Sequence, residues 1–126
     1  MRYEDKARGF RDLRVWQQAI MLAAEVMKIA ASLPQHELYG LGNQMRRSAI
    51  SVSSNIAEGW GRRGEKEFSR FLDIANGSLC ELETQLEIAK ICYNIDTLPL
   101  VNQCAAIRAQ IVAFARSLEK NPRIRK

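Results

Sequence analysis

Apolar residues recur along this chain at steps of three and four, the spacing that puts side chains on one face of an α-helix. They do so in four blocks. The first holds two adjacent series: Leu13, Trp16, Ile20, Ala23, Met27 and Ala30, beside Val15, Ala19, Leu22, Val26, Ile29 and Leu33, with Pro34 as the stop. At about 100° per residue the two series cover roughly 200° of helix surface. A pair of neighbouring helices needs less, so this helix is expected to face a further partner, another subunit. Asp12 precedes the block and is the expected N-cap, since a carboxylate there accepts orphan backbone N–H groups at the positive helix end.

The second block, Leu38, Leu41, Met45, Ala49, Val52 and Ile56, predicts a helix over about 41–58, broken by Gly59-Trp60-Gly61. The third is the longest: Phe68, Leu72, Ala75, Leu79, Leu82, Leu86, Ala89 and Tyr93 alternate fours and threes over 65–93. Asn94 to Pro99 reads as a turn, with Asp96 or Thr97 capping a fourth helix over 98–120 that carries Leu100, Cys104, Ile107, Ile111, Phe114 and Leu118. No run alternates with period two, so no strand is expected. Four amphipathic helices with short links imply an all-α, antiparallel, up-down-up-down four-helix bundle. The domain reading is an N-terminal arm, 1–11, a bundle, 12–120, and a basic tail, 121–126.

Length and composition fit that picture and narrow the function. A chain of 126 residues, 47% hydrophobic and 26% charged, makes one ordinary globular domain. No stretch approaches the roughly 20 uncharged apolar residues of a membrane span, and the acidic start carries no apolar leader. Cys80, Cys92 and Cys104 are odd in number and widely spaced, which excludes a full disulfide framework and any C-x-x-C motif. They read as small core or seam hydrophobes in a reduced cytoplasm. His36 is the single histidine, so a di-iron bundle built from Glu-x-x-His pairs is excluded, as are most catalytic constellations. Glu81, Glu83 and Glu87 read as water-facing. No catalytic residue, metal site or cofactor is expected, and the protein reads as a non-enzyme.

Two segments stand out. Ser48, Ser51, Ser53, Ser54, Asn55 and Glu58 crowd the second helix, although serine and asparagine are mediocre helix formers. With Gly77-Ser78 of the third helix they suggest a polar seam (Ser51, Asn55, Glu58, Ser78) where two helices approach closely and pair their buried polar groups. The second segment is the turn Glu58-Gly-Trp-Gly-Arg-Arg-Gly-Glu-Lys. Arg62, Arg63 and Lys66 stand beside a helix start, and Arg70 lies one turn on. Together with Arg46 and Arg47 they are the candidate phosphate-binding residues, and Trp60 is a candidate to stack on a base.

The net charge of +5 permits a polyanionic partner. It is unevenly spread: residues 64–95 carry three cations against six carboxylates, and residues 96–126 six against two. This pattern suits either neighbouring helices with complementary surfaces or a basic face that meets phosphates.

Several strings together carry a resemblance: Asp12-Leu-Arg-Val-Trp16-Gln-Gln-Ala19, Tyr39-Gly-Leu41, Gln44-Met-Arg-Arg-Ser48, Ser51-Val-Ser-Ser-Asn55-Ile-Ala-Glu-Gly59, Glu67-Phe-Ser-Arg-Phe71, and Gly77-Ser78 with Glu81-Leu-Glu-Thr-Gln85-Leu-Glu-Ile-Ala89. Over residues 10–118 the chain resembles the bacterial four-helix bundle family, also called the intervening-sequence protein family, some of whose members are encoded within large-subunit ribosomal RNA genes. The resemblance implies an antiparallel bundle that assembles as a homopentamer, with no established enzymatic activity. It also implies kinship to the variability accessory protein of diversity-generating retroelements, a basic pentamer that binds nucleic acid and a reverse transcriptase. Members commonly carry Ser or Thr where Gly64 stands, which would form a capping box with Glu67. The reading is therefore a cytoplasmic homo-oligomer that binds RNA or DNA through a basic surface, with a protein-interaction scaffold as the alternative and no membrane partner.

Overall fold

The computed structural model describes residues 7–120. The chain folds into four α-helices: α1 (Arg14–Ser32), α2 (Leu41–Gly61), α3 (Glu65–Tyr93) and α4 (Leu98–Lys120). A short 3-10 turn, Phe10–Asp12, precedes α1, and a second, Gln35–Glu37, joins α1 to α2. Each helix packs on the next, and α4 closes back on α1. Pairs of contacts fix the directions: between α2 and α3 Ser51 meets Ser78 while Gly59 lies against Phe71, and between α3 and α4 Glu83 meets Arg108 while Phe68 packs on Phe114; Gln18 of α1 meets Gln110 of α4. The result is the expected antiparallel four-helix bundle. Its core combines Leu22, Met45, Ile56, Phe68, Leu72, Leu79, Leu82, Leu86 and Ile111, all at most 2% exposed. The proposed tail, 121–126, and the first six residues of the proposed arm lie outside the described residues.

Each helix buries the stripe its spacing marks out, with instructive exceptions. In α1 the series Val15, Ala19, Leu22 and Val26 is buried. The other series is split: Trp16 and Ala23 pack against the core, while Ile20 is 40% exposed. Leu38 is no part of α2; it sits in the preceding loop, 47% exposed. Of the cysteines only Cys104 is a core residue, and Cys80 and Cys92 are exposed.

The helix ends correct several expectations. Asp12 does not cap α1. The chain enters through the 3-10 turn, Leu13 takes the cap position, and the Asp12 carboxylate turns back to accept the Arg8 backbone N–H at 2.9 Å. The break in α2 comes at the last residue of Gly59-Trp60-Gly61: the helix runs past the expected 58 to Gly61, and the buried Gly59 is packed so closely that a Cβ there would lie 2.6 Å from Phe71 Cβ. Gly77 is the reverse case. No atom lies within 4 Å of where its Cβ would be, so close approach does not account for it.

The chain turns between α2 and α3 at Gly64, whose φ of +83° is a conformation that side-chain-bearing residues rarely adopt. Glycine at this position therefore matches a turn of this shape. Asn94 ends α3 in the left-handed conformation, φ +54°, its N–H bonded to Lys90 O. Asp96 Oδ1 accepts the Leu98 N–H at 3.2 Å, and the Thr97 carbonyl accepts those of Leu100 and Val101, so both residues expected at the α4 cap contribute.

By length and composition α4 is apolar enough to cross a membrane, with a mean hydropathy of 1.3 over the best window. Here one face of it fills the bundle core through Leu100, Cys104, Ile107, Ile111, Phe114 and Leu118.

Candidate nucleic-acid interface

The polar residues of α2 sit where that helix crosses α3. Ser51 and Ser78 share a hydrogen bond at 2.8 Å. Asn55 Nδ2 donates to the Ser51 carbonyl at 2.8 Å and to Ser51 Oγ at 2.9 Å. Serine and asparagine are tolerable in mid-helix here because their groups are satisfied across and along the seam. Glu58 lies outside it, exposed at the end of α2, where it pairs with Arg62 at 2.9 Å.

The six candidate cations fall into two groups. Arg46 and Arg47 stand near the start of α2, and Arg62, Arg63, Lys66 and Arg70 at its far end and along α3. Sixteen residues of helix separate Arg46 from Arg62, or about 24 Å at 1.5 Å per residue.

Within the far group, Arg70 grips Glu67 through Nε and Nη2 at 3.1 and 3.2 Å, and both Arg62 and Arg70 lie over the Phe71 ring. The Arg70 guanidinium holds the Glu67 carboxyl below the usual carboxylate range. Arg63 and Lys66 are exposed and make no ion pair with a carboxylate among the described residues. In the near group, Arg46 Nη2 donates to the Leu38 carbonyl at 2.8 Å, and Arg47 is exposed.

Trp60 is partly buried and packs against the core. Its ring packs edge-on against Phe68, 5.9 Å between centroids, and Phe68 in turn packs on Phe114. The glutamates of α3 also divide: Glu83 is half-buried and bound by Arg108 at 2.6 Å instead of facing water.

The topology adds cations that linear reading kept apart. The starts of α1 and α3 and the ends of α2 and α4 share one end of the bundle. Arg8, Arg11, Arg14, Arg116 and Lys120 therefore join Arg62, Arg63, Lys66 and Arg70 there, against Asp12, Glu58, Glu65, Glu67 and Glu119. The opposite end carries Glu25, Glu37, Glu87 and Asp96 with Lys28, Arg46, Arg47 and Lys90. Charge is thus graded along the bundle axis, with one end basic.

At the other end Glu37 ties two loops to a helix start. Its Oε1 accepts the Leu41 N–H at 3.0 Å, its Oε2 accepts the Tyr93 hydroxyl, and His36 Nε2 lies 3.3 Å from that hydroxyl. The Tyr93 hydrogen bond holds the Glu37 carboxyl below its ordinary range and, with desolvation, pushes the Tyr93 hydroxyl up to about 12. Among the described residues no three His, Cys, Asp or Glu side chains gather so as to hold a metal ion.

No curated protein matches this chain. The family model described as 23S rRNA-intervening sequence protein matches residues 11–118, which is the whole four-helix bundle apart from its last two residues, and the chain belongs to that family.

Proposed function

We propose that the protein is a non-enzymatic, self-assembling RNA-binding accessory factor of the cytoplasm, and that the basic end of the bundle meets the phosphates. The observation that carries this reading is the axial segregation of charge, with Arg63 and Lys66 exposed and unpaired with carboxylates among the described residues. Arg62 and Arg70 already hold Glu58 and Glu67, so they offer a phosphate less than their number suggests. Membership of a family named for an intervening sequence of 23S rRNA supports RNA over DNA as the polyanion.

Affinity for an RNA fragment should fall steeply with salt. Replacing both Arg63 and Lys66 with alanine should flatten the log–log salt slope by about 1.4 to 1.8, the release expected for two lost phosphate contacts. A gel-shift titration with no binding at low salt overturns the reading.

Self-assembly draws support from the outer face of α4. Ala105, Ala106, Ala109, Val112 and Ala113 are exposed there, Ala106 beside Met21 of α1, and only 28% of the helix's most apolar window is buried. Small residues on this face, bordered by Arg108 and Arg116, allow close packing of another subunit, in line with the pentamer of the family resemblance. Light scattering should report an oligomer, and Ala109→Glu should shift it toward monomer. The scaffold alternative shares this face but requires a protein partner retained through nuclease and high salt.

A further inference from the structure

We propose that Tyr39 is a base-stacking residue and that the loop before α2 binds single-stranded nucleic acid. The proposal rests on the nucleic-acid reading and adds a second contact, at the end of the bundle opposite the basic one, with the type of strand and the residue that meets a base.

Tyr39 is 89% exposed. Its exposure is built in, because the backbone on both sides of it is tied down. The Leu38 carbonyl accepts from Arg46 Nη2 at 2.8 Å, the Gly40 N–H donates to the Glu37 carbonyl at 3.1 Å, and Glu37 itself is held by the Leu41 N–H and the Tyr93 hydroxyl. The other described aromatic rings are engaged: Phe10 with Trp16, Trp60 and Phe114 with Phe68, Phe71 under Arg62 and Arg70, and Tyr93 with Glu37. Tyr39 alone among them presents its ring to solvent on a fixed loop.

The chemistry around it selects the occupant. Arg46 reaches the residue next to Tyr39, Arg47 follows it in α2, and neither bonds a carboxylate among the described residues. Glu37 is the adjacent acid, and both its oxygens are already engaged. A bare ring with one guanidinium held at the carbonyl of the preceding residue fits an unpaired base and a neighbouring phosphate. A duplex hides its base faces in the stack, so a single strand or a loop is the form that fits.

The test is fluorescence anisotropy with a labelled 12-nucleotide oligouridine, a 12-base-pair RNA duplex and poly-glutamate, on the full chain. Tyr39→Ala should weaken oligouridine binding roughly 5- to 100-fold without changing the salt slope, since stacking releases no counterion. Tyr39→Phe should stay within about twofold of the parent protein, because the ring and not the hydroxyl stacks. Arg47→Ala should lower the slope by about one. Duplex binding should not respond to Tyr39→Ala. If the parent binds oligouridine and Tyr39→Ala binds it equally well, the stacking role is overturned while the nucleic-acid reading stands. Binding of neither nucleic acid overturns both. Tyr39-dependent binding of poly-glutamate in place of oligouridine overturns the strand assignment in favour of an acidic protein segment.

Discussion

Ser51 of α2 and Ser78 of α3, twenty-seven residues apart in sequence, meet hydroxyl to hydroxyl at 2.8 Å midway along the two helices that share the most extensive contact in the bundle. Ser78 is 5% exposed, so a lost partner is not replaced by bulk water. Either single alanine variant should cost about 1 kcal/mol, and the double variant should cost less than the two singles added. Urea unfolding of the three variants and the parent measures the coupling.

Two glycines should respond in opposite directions. At Gly59 a Cβ would sit 2.6 Å from Phe71 Cβ and 2.9 Å from Phe68 Cδ1, so Gly59→Ala must push α2 away from α3. A loss of about 1–3 kcal/mol is expected from that overpacking. At Gly77 the space is open and the residue is in mid-helix, so Gly77→Ala should gain about 0.5–1 kcal/mol from helix propensity. Thermal melts of the two variants give the signs directly.

The Glu37–Tyr93 pair should make stability depend on pH at both extremes. The folded Glu37 carboxyl titrates below its ordinary 4.5, so its contribution is present above that value and is lost as pH falls through the lowered one. The Tyr93 hydroxyl is raised from 10 to about 12, so its contribution is complete below 10 and is lost as pH rises through about 12. Tyr93→Phe removes both effects of the hydrogen bond. Its melting temperature should therefore differ most from the parent's near neutral pH, and the gap should narrow toward pH 3 and toward pH 12.

The cysteines should divide by accessibility. Burial pushes the Cys104 thiol up to about 12, whereas Cys80 and Cys92 are exposed on α3. Alkylation of the native protein at neutral pH should modify Cys80 and Cys92 and leave Cys104 until denaturant is added. Mass spectrometry of the labelled peptides reads this out, and native labelling of Cys104 would mean that α4 detaches.

The four helices were legible because burial follows a periodic rule that needs only the order of residues. Leu72, Leu79, Leu82 and Leu86 occupy the core that their spacing marks out, and Pro34 and Asn94 stop α1 and α3 where their backbone preferences say they should. The six candidate cations were legible as a list but not as a site. Whether an arginine is available depends on what else arrives beside it: Arg62 meets Glu58, Arg70 meets Glu67, and Arg46 turns to a carbonyl. Trp60 and Tyr39 show the same limit, since a ring is free or committed according to what a distant helix places against it.

The sequence by itself determined the class of fold, the number of helices and the side of each helix that turns inward, because these follow from local backbone preference and from the hydrophobic period. Only the tertiary structure decided which polar groups pair, which glycine sits at a contact and which end of the bundle gathers the charge. Those properties depend on residues from different helices reaching the same place, and antiparallel packing brings together side chains that the linear order keeps dozens of positions apart.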